Sequence, residues 1–195
     1  MLFPPTITTD RLRLDRLSTD TVDQLALYRI CADDPGIEDV TRYVTWNPHD
    51  HPHETLTFIR DAEESWEAGT DAVYLVRPAD ESNDIAGCTA LHVDWELDRA
   101  TLGCWLRKQY WGRGYSGERA AALLELAFER LDLGLVAVSH HVDNDKSRRA
   151  IEKYVDAHGG HREGTMRHHL AYDDEIVDEV RYSISAEEYR TATGA

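Results

Sequence analysis

The residues with the most chemistry per unit length lie in RKQYWGRGYSGERAAALLELAFE, residues 107–129. Arg107, Lys108, Arg113 and Arg119 surround Gly112, Gly114 and Gly117, and a helical apolar pattern begins at once. Glycines ahead of a helix allow tight turns and let main-chain N–H groups approach an anion, while the helix start adds partial positive charge. GRGYSG (112–117) also satisfies G-x-G-x-x-G. A dinucleotide fold, however, places that fingerprint at the head of a doubly wound sheet with an acid closing the next strand. Here several strand candidates precede it, and Asp143 sits in HHVDND, which reads as a helix start. The chemistry to expect is diphosphate binding outside a Rossmann sheet.

The elements that position this loop follow from periodicity. RLRLDRL (11–17) alternates like a half-buried strand, and a helix with Val22, Leu25 and Ile30 on one face follows. DDPGIEDVTRYVTWNPHDHP reads as loop with a short helix, then Leu56, Ile59, Ala62 and Trp66 mark a second amphipathic helix. Strands are expected at 72–76, 85–93 and 100–106, with PADESND (78–84) as a hairpin turn. After the loop come a helix with Ala120, Leu124, Ala127, Phe128 and Leu131 inward, a strand at 135–141, a helix near 146–158, and two closing strands in 161–185. A strand meander followed by a βαβ unit specifies an α+β domain with a mixed sheet.

Composition narrows the function. The 195 residues suit one domain, and 42% hydrophobic content excludes wholesale disorder. No apolar run is long enough to span a bilayer, and MLFPPTITTD lacks the basic start and apolar stretch of a secretory signal. Cys31, Cys88 and Cys104 show no CxxC spacing, which suits buried thiols in a reducing cytoplasm. The net charge of -16, from 37 acids against 21 bases, argues against nucleic acid or membrane surfaces as direct partners. Lys108, Lys146 and Lys153 are its lysines, and an acidic, lysine-poor surface also suits a saline, halophilic cytoplasm, where screening acts over about 3 Å. The histidine pairs 140/141 and 168/169 cannot easily chelate, because adjacent residues on a strand point to opposite faces, and HDHPH (49–53) reads as a loop able to hold only adventitious metal. No metal is expected.

QYWGRG (109–114) resembles the Q/R-x-x-G-x-G/A acetyl-CoA signature of the GCN5-related N-acetyltransferases (GNAT). Trp111 and GYSGERAAALLELAF are similar to the branch that acetylates ribosomal-protein N-termini. TTDRLRLDRLSTD (8–20), RYVTWNP (42–48), IAGCTALH (85–92), ATLGCWL (100–106) and DNDKSRRAIEKY (143–154) follow in the order of that branch, so the resemblance covers residues 8–185 as a single domain. It implies a GNAT-type, mostly antiparallel twisted sheet of six to seven strands flanked by helices on both faces. It also implies acetyl-CoA as donor and a primary amine as acceptor, in a monomer or homodimer.

Carried over residue by residue, the resemblance has main-chain N–H groups from Gln109 through Tyr110, Trp111, Gly112 and Arg113 to Gly114 hold the diphosphate, with Arg113 adding charge. Tyr115 and Ser116 lie in the first helical turn beside it, and Lys108 and Arg119 are either helpers or solvated surface. Trp105, Leu106 and Arg107 lie on a strand that splays from 135–141 and offers backbone groups to pantetheine. Ser147 hydrogen-bonds the thiol and Asn144 orients the cofactor nearby; the alternative is that both cap a helix. Tyr43 and Trp46 line the acceptor side. The sequence departs from the family at two places, with Thr101 where a glutamate base is usual and Ile151 where a tyrosine acid is usual. The base stays open among Asp94, Glu96, His92, His140 and His141. A non-catalytic acyl-CoA-binding module and a small-molecule acetyltransferase are the other readings.

Overall fold

Local chemistry starts and stops each element. In the computed structural model, which describes residues 1–80, 83–172 and 175–194, two short strands open the chain, β1 (Thr6–Thr8) and β2 (Leu12–Arg16). Helix α1 (Gln24–Asp33) begins where the Asp23 carboxylate accepts the Ala26 N–H. The short α2 (Ile37–Thr41) follows, then α3 (Pro52–Ala68), which has proline in its first turn and ends at Gly69 in the left-handed region. Strands β3 (Asp71–Pro78), β4 (Gly87–Asp94) and β5 (Arg99–Leu106) form the meander. A 3₁₀ turn, Lys108–Tyr110, leads to α4 (Tyr115–Glu125), which continues as a π-turn over Leu126–Arg130. Strand β6 (Leu135–His141), α5 (Asp145–Ala157), the hairpin β7 (His161–Tyr172) and β8 (Glu175–Ser185), and α6 (Ala186–Thr193) complete the chain.

All eight strands of the described residues join one sheet in the order β1-β2-β3-β4-β5-β6-β8-β7. Every pairing is antiparallel except β5 with β6. Alternation along each strand divides the core between the two faces. Leu14, Tyr74, Val76, Leu91 and Leu102 meet Leu123, Leu124 and Phe128 of the α4 side, together with Ile151 and Tyr154 of α5. Leu75, Cys88 and Ala90 meet Leu27 of α1 and Ile59 of α3 on the other. Each such aliphatic side chain, removed from water, contributes roughly 1.5–3 kcal/mol.

The architecture is the expected mixed, mostly antiparallel sheet with helices on both faces. It has eight strands because Thr6–Thr8 pairs with Arg13–Asp15, a contact too short to announce itself. Helix α6, capped by the reciprocal Ser185–Glu188 box, was also unannounced. It brings Tyr189 against Phe128, and the fully buried Phe3 packs on Trp66, so the core draws on residues beyond 8–185. Two helix faces differ from their expected phase. In α1 the buried pair is Leu27 and Cys31 while Leu25 is exposed, because the Asp23 cap fixes where the first turn starts. In α3 Thr55 is buried in place of Leu56, its hydroxyl 2.7 Å from His49 Nδ1. Part of the expected 78–84 turn, and the turn between β7 and β8, lie outside the described residues.

One discontinuity positions everything that follows. Strand β5 pairs with β6 only through Arg99↔Leu135, Ala100↔Val136 and Thr101↔Ala137. From Leu102 to Leu106 β5 keeps its β4 partners and has none on β6. On the far side, Gly87 enters β4 at φ +155°, and a Cβ there would lie 2.1 Å from the Trp105 carbonyl oxygen. Only glycine permits β4 to press that closely on the diverging strand.

Candidate active site

The glycine-rich loop leaves β5 where the strands have parted. Arg107 O and Lys108 O accept the N–H groups of Tyr110 and Trp111, closing the 3₁₀ turn. Those two N–H groups, which the sequence nominated as anion donors, are therefore occupied. Gly112 and Gly114 then take φ of +77° and +83°, and α4 begins. Among the described residues, no group accepts the N–H of Gly112, Arg113, Gly114, Tyr115 or Ser116. Five consecutive donors at a helix's positive end form an anion cradle displaced toward the helix from the expected one. The Arg113 guanidinium lies over the Tyr110 ring at 5.0 Å.

Several side chains near the loop turn out to be scaffolding. Arg107 is clamped between carboxylates, with Nε 3.0 Å from Asp34 Oδ1 and Nη1 3.0 Å from Asp84 Oδ1. Its main-chain N–H donates to Ala86 O, so neither group is spare. Tyr110 donates to Asp84 at 2.5 Å and stacks on the buried Tyr115. Burial, reinforced by Asp84, pushes the Tyr110 hydroxyl up to about 12. Lys108 pairs with Asp39 of α2, whose carboxyl that contact holds below its ordinary range.

Arg119 points inward and is 2% exposed, so it is not a phosphate-facing helper. Its Nη1 is 3.4 Å from Thr89 Oγ1, its guanidinium lies 5.6 Å from the Tyr154 ring centre, and its Nε has no partner among the described residues. Residues not singled out from sequence also shape the loop. Arg11 donates to Arg113 O and pairs with Glu118 at 2.6 Å, tying β2 to the first turn of α4. Burial alone would raise the Glu118 carboxyl, but hydrogen bonds from Thr9 and Arg11 outweigh it and hold the group low. Lys146, at the start of α5, lies 4.3 Å from the Trp111 ring centre, bringing α5 against the loop.

At the head of α5, Asn144 Oδ1 accepts the Ser147 N–H at 3.0 Å. The capping role is real for Asn144. It does not engage the Ser147 hydroxyl, which has no hydrogen bond among the described residues. On the opposite face of the sheet an aromatic group spans both strands of the opening. Trp46 stands edge-on to Trp105 of β5 at 5.4 Å and to His49 at 5.6 Å, while Tyr43 lies 5.0 Å from His141 of β6. Tyr43 and Trp46 are thus brought to the two sides of one gap. Trp105 faces this aromatic group, and Leu106 packs into the core on the α4 side. His140 and His141 point to opposite faces, His140 against Tyr182. Among the described residues there is no group of three or more His, Cys, Asp or Glu suited to a metal, and no helix long and apolar enough to cross a membrane.

The profile of the Acetyltransferase (GNAT) domain matches residues 11–154. A Bacillus licheniformis protein named as an uncharacterized N-acetyltransferase, p20, is 25% identical over 187 residues, spanning 94% of this chain and 98% of that protein. The solved structure of the microcin C7 self-immunity acetyltransferase MccE, in complex with acetyl-CoA and AMP, superposes with a TM-score of 0.80 at 17% identity, covering 94% and 98% of the two chains. That of the apo ribosomal L7/L12 α-N-protein acetyltransferase RimL superposes at 0.77 with 18% identity, covering 92% and 93%.

Proposed function

Because this chain belongs to the GNAT acetyltransferase family and is an acetyl-transferring enzyme, we propose that it moves the acetyl group of acetyl-CoA to a protein N-terminal α-amino group of the ribosomal-protein type, by direct attack in a ternary complex. The observation that carries this reading is the run of five unengaged N–H groups, Gly112 to Ser116, at the head of α4. It lies next to a strand whose backbone has left its neighbour. A diphosphate suits the first and an amide-bearing arm suits the second. Gly112, Arg113, Gly114, Tyr115 and Ser116 then hold phosphate, assisted by Gln109 and the Trp111 platform, and the edge of β5 from Leu102 to Leu106 receives pantetheine.

Ser147 is the proposed donor of a hydrogen bond to the CoA sulfur, with Asn144 fixing the turn that presents it. The Tyr43–His141 and Trp46–Trp105 pairs form the acceptor walls. The domain is a single unit over 8–185, with Phe3 and Tyr189 packed onto it. Three cysteines free of disulfides fit a reducing cytoplasm.

Gly112→Asp tests the cradle. A Cβ at Gly112 meets nothing within 4 Å, and aspartate tolerates the left-handed region. The variant should fold while its new carboxylate opposes the diphosphate, raising the acetyl-CoA KM by about 100-fold, the equivalent of about 2.7 kcal/mol. Thiol release with peptide and small-amine acceptors reads the outcome. A folded variant with an unchanged KM places the diphosphate elsewhere, and turnover confined to small amines transfers the acceptor to that class.

A further inference from the structure

We infer that His92, held by Asp71, is the general base that takes the proton of the acceptor amine. The inference rests on the acetyltransferase reading and adds the residue that the sequence left open. Asp71 opens β3 and His92 lies near the end of β4, and the register places them opposite one another. His92 Nδ1 is 2.5 Å from Asp71 Oδ1. A carboxylate accepts only, so it is the ring that donates through Nδ1, and in the neutral imidazole the lone pair is on Nε2.

Nε2 is directed at the opening. A Cβ built on Gly103 would lie 3.2 Å from it, so the ring occupies the space that a side chain at 103 would fill. Gly103 is two residues past the last rung that joins β5 to β6. Trp105, which carries one aromatic wall, is two residues further along the same face, about 7 Å away. The His92 side chain is 52% exposed, so an ammonium or a bridging water can reach it. Sequence neighbours could not reveal this pair, because 21 positions separate its members and only the strand register joins them.

The other candidates are otherwise engaged. Asp94 faces Arg99 at 3.7 Å, and Glu96 lies in the β4–β5 turn, both at the closed end of the β5–β6 pair. His141 Nδ1 accepts the Asp143 N–H at 3.1 Å, which occupies that lone pair. His140 is 4% exposed on the opposite face, and His49 is engaged with Thr55 and edge-on to Trp46.

In the step itself Nε2 removes one proton from the ammonium, and the freed nitrogen pair attacks the thioester carbonyl. The C–N bond forms, the C–S bond breaks, and its electron pair leaves on sulfur. The second nitrogen proton reaches that sulfur by way of the Ser147 hydroxyl, and the imidazolium returns its own to solvent.

The test measures thiol release and, separately, CoA binding by calorimetry for the wild type, His92→Gln, His92→Gly and Asp71→Asn. His92→Gln should lower kcat by about 100-fold with the acetyl-CoA KM within twofold of wild type. Added imidazole should restore turnover to His92→Gly, and Asp71→Asn should lose activity by a smaller factor. An active wild type with an equally active His92→Gln overturns the base assignment and leaves the transferase reading intact. A wild type that binds CoA but acetylates no amine overturns both.

Discussion

Arg119→Met should make the protein more stable. The guanidinium is 2% exposed and, among the described residues, makes no ion pair with a carboxylate. Burial raises the Cys104 thiol and lifts the Tyr154 hydroxyl to about 12, so both are neutral at physiological pH and neither supplies a counter-charge. Desolvating such a cation costs several kcal/mol. Against that cost stand one long contact with Thr89, worth at most about 1 kcal/mol, and the Tyr154 ring face, worth about 2 kcal/mol when dry. Removing the charge leaves no new unsatisfied group, because the Thr89 hydroxyl donates to Gly103 O at 2.9 Å and the Tyr154 hydroxyl already lacks a partner. Methionine keeps most of the aliphatic stem in place. The expected gain is about 1–3 kcal/mol, and each kcal/mol is worth about 2–4 °C in Tm for a chain of this length. Urea titration followed by tryptophan fluorescence measures it directly. A variant less stable than wild type by more than about 1 kcal/mol would show that polar and cation–π contacts outweigh desolvation here, and would refute the reasoning.

Two further substitutions test the fold around the site. Gly87→Ala puts a Cβ 2.1 Å from the Trp105 carbonyl oxygen and 2.8 Å from Leu106 Cα. It should cost at least about 3 kcal/mol or abolish soluble expression, whereas Gly112→Ala, with open space around it, should cost about 1–2 kcal/mol; equal urea midpoints for the two would be the contrary result. Burial holds His49 below the ordinary histidine range, against the pull of Glu54. The unfolded chain therefore binds that proton more readily, and stability conferred by the neutral ring is present above about pH 6.5 and lost as pH falls through the lower folded value. Urea midpoints of wild type should decline more steeply from pH 7.5 to 5.5 than those of His49→Gln, and parallel declines would contradict this.

Much of the architecture was legible because single elements carry their own signal. Strand β6 was read to the residue, 135–141, since an apolar, β-branched run between a glycine and a capping segment has few other uses. The loop was legible through its glycines. Its donors were misassigned by a few positions, because whether an N–H is spent depends on the 3₁₀ turn at Lys108–Tyr110, which the residues do not announce. Arg119 was illegible for a related reason. It follows Glu118 in a pattern that looks solvent-facing, and its burial comes from α5, which closes over α4 where a Cβ built on Gly117 would lie 4.0 Å from Tyr154 Cβ. The Arg107 clamp and the Asp71–His92 pair likewise depend on contacts between elements far apart in sequence.

The three rungs between Arg99–Thr101 and Leu135–Ala137 have a mechanical meaning as well. Among the described residues they are the sole ladder between a five-strand plate, β1 to β5, and a three-strand plate, β6 to β8. A load applied across the molecule concentrates on that short weld while the longer ladders on either side hold. A ligand stitched into the gap would spread the load over both plates, so that occupancy of the site stiffens the whole body.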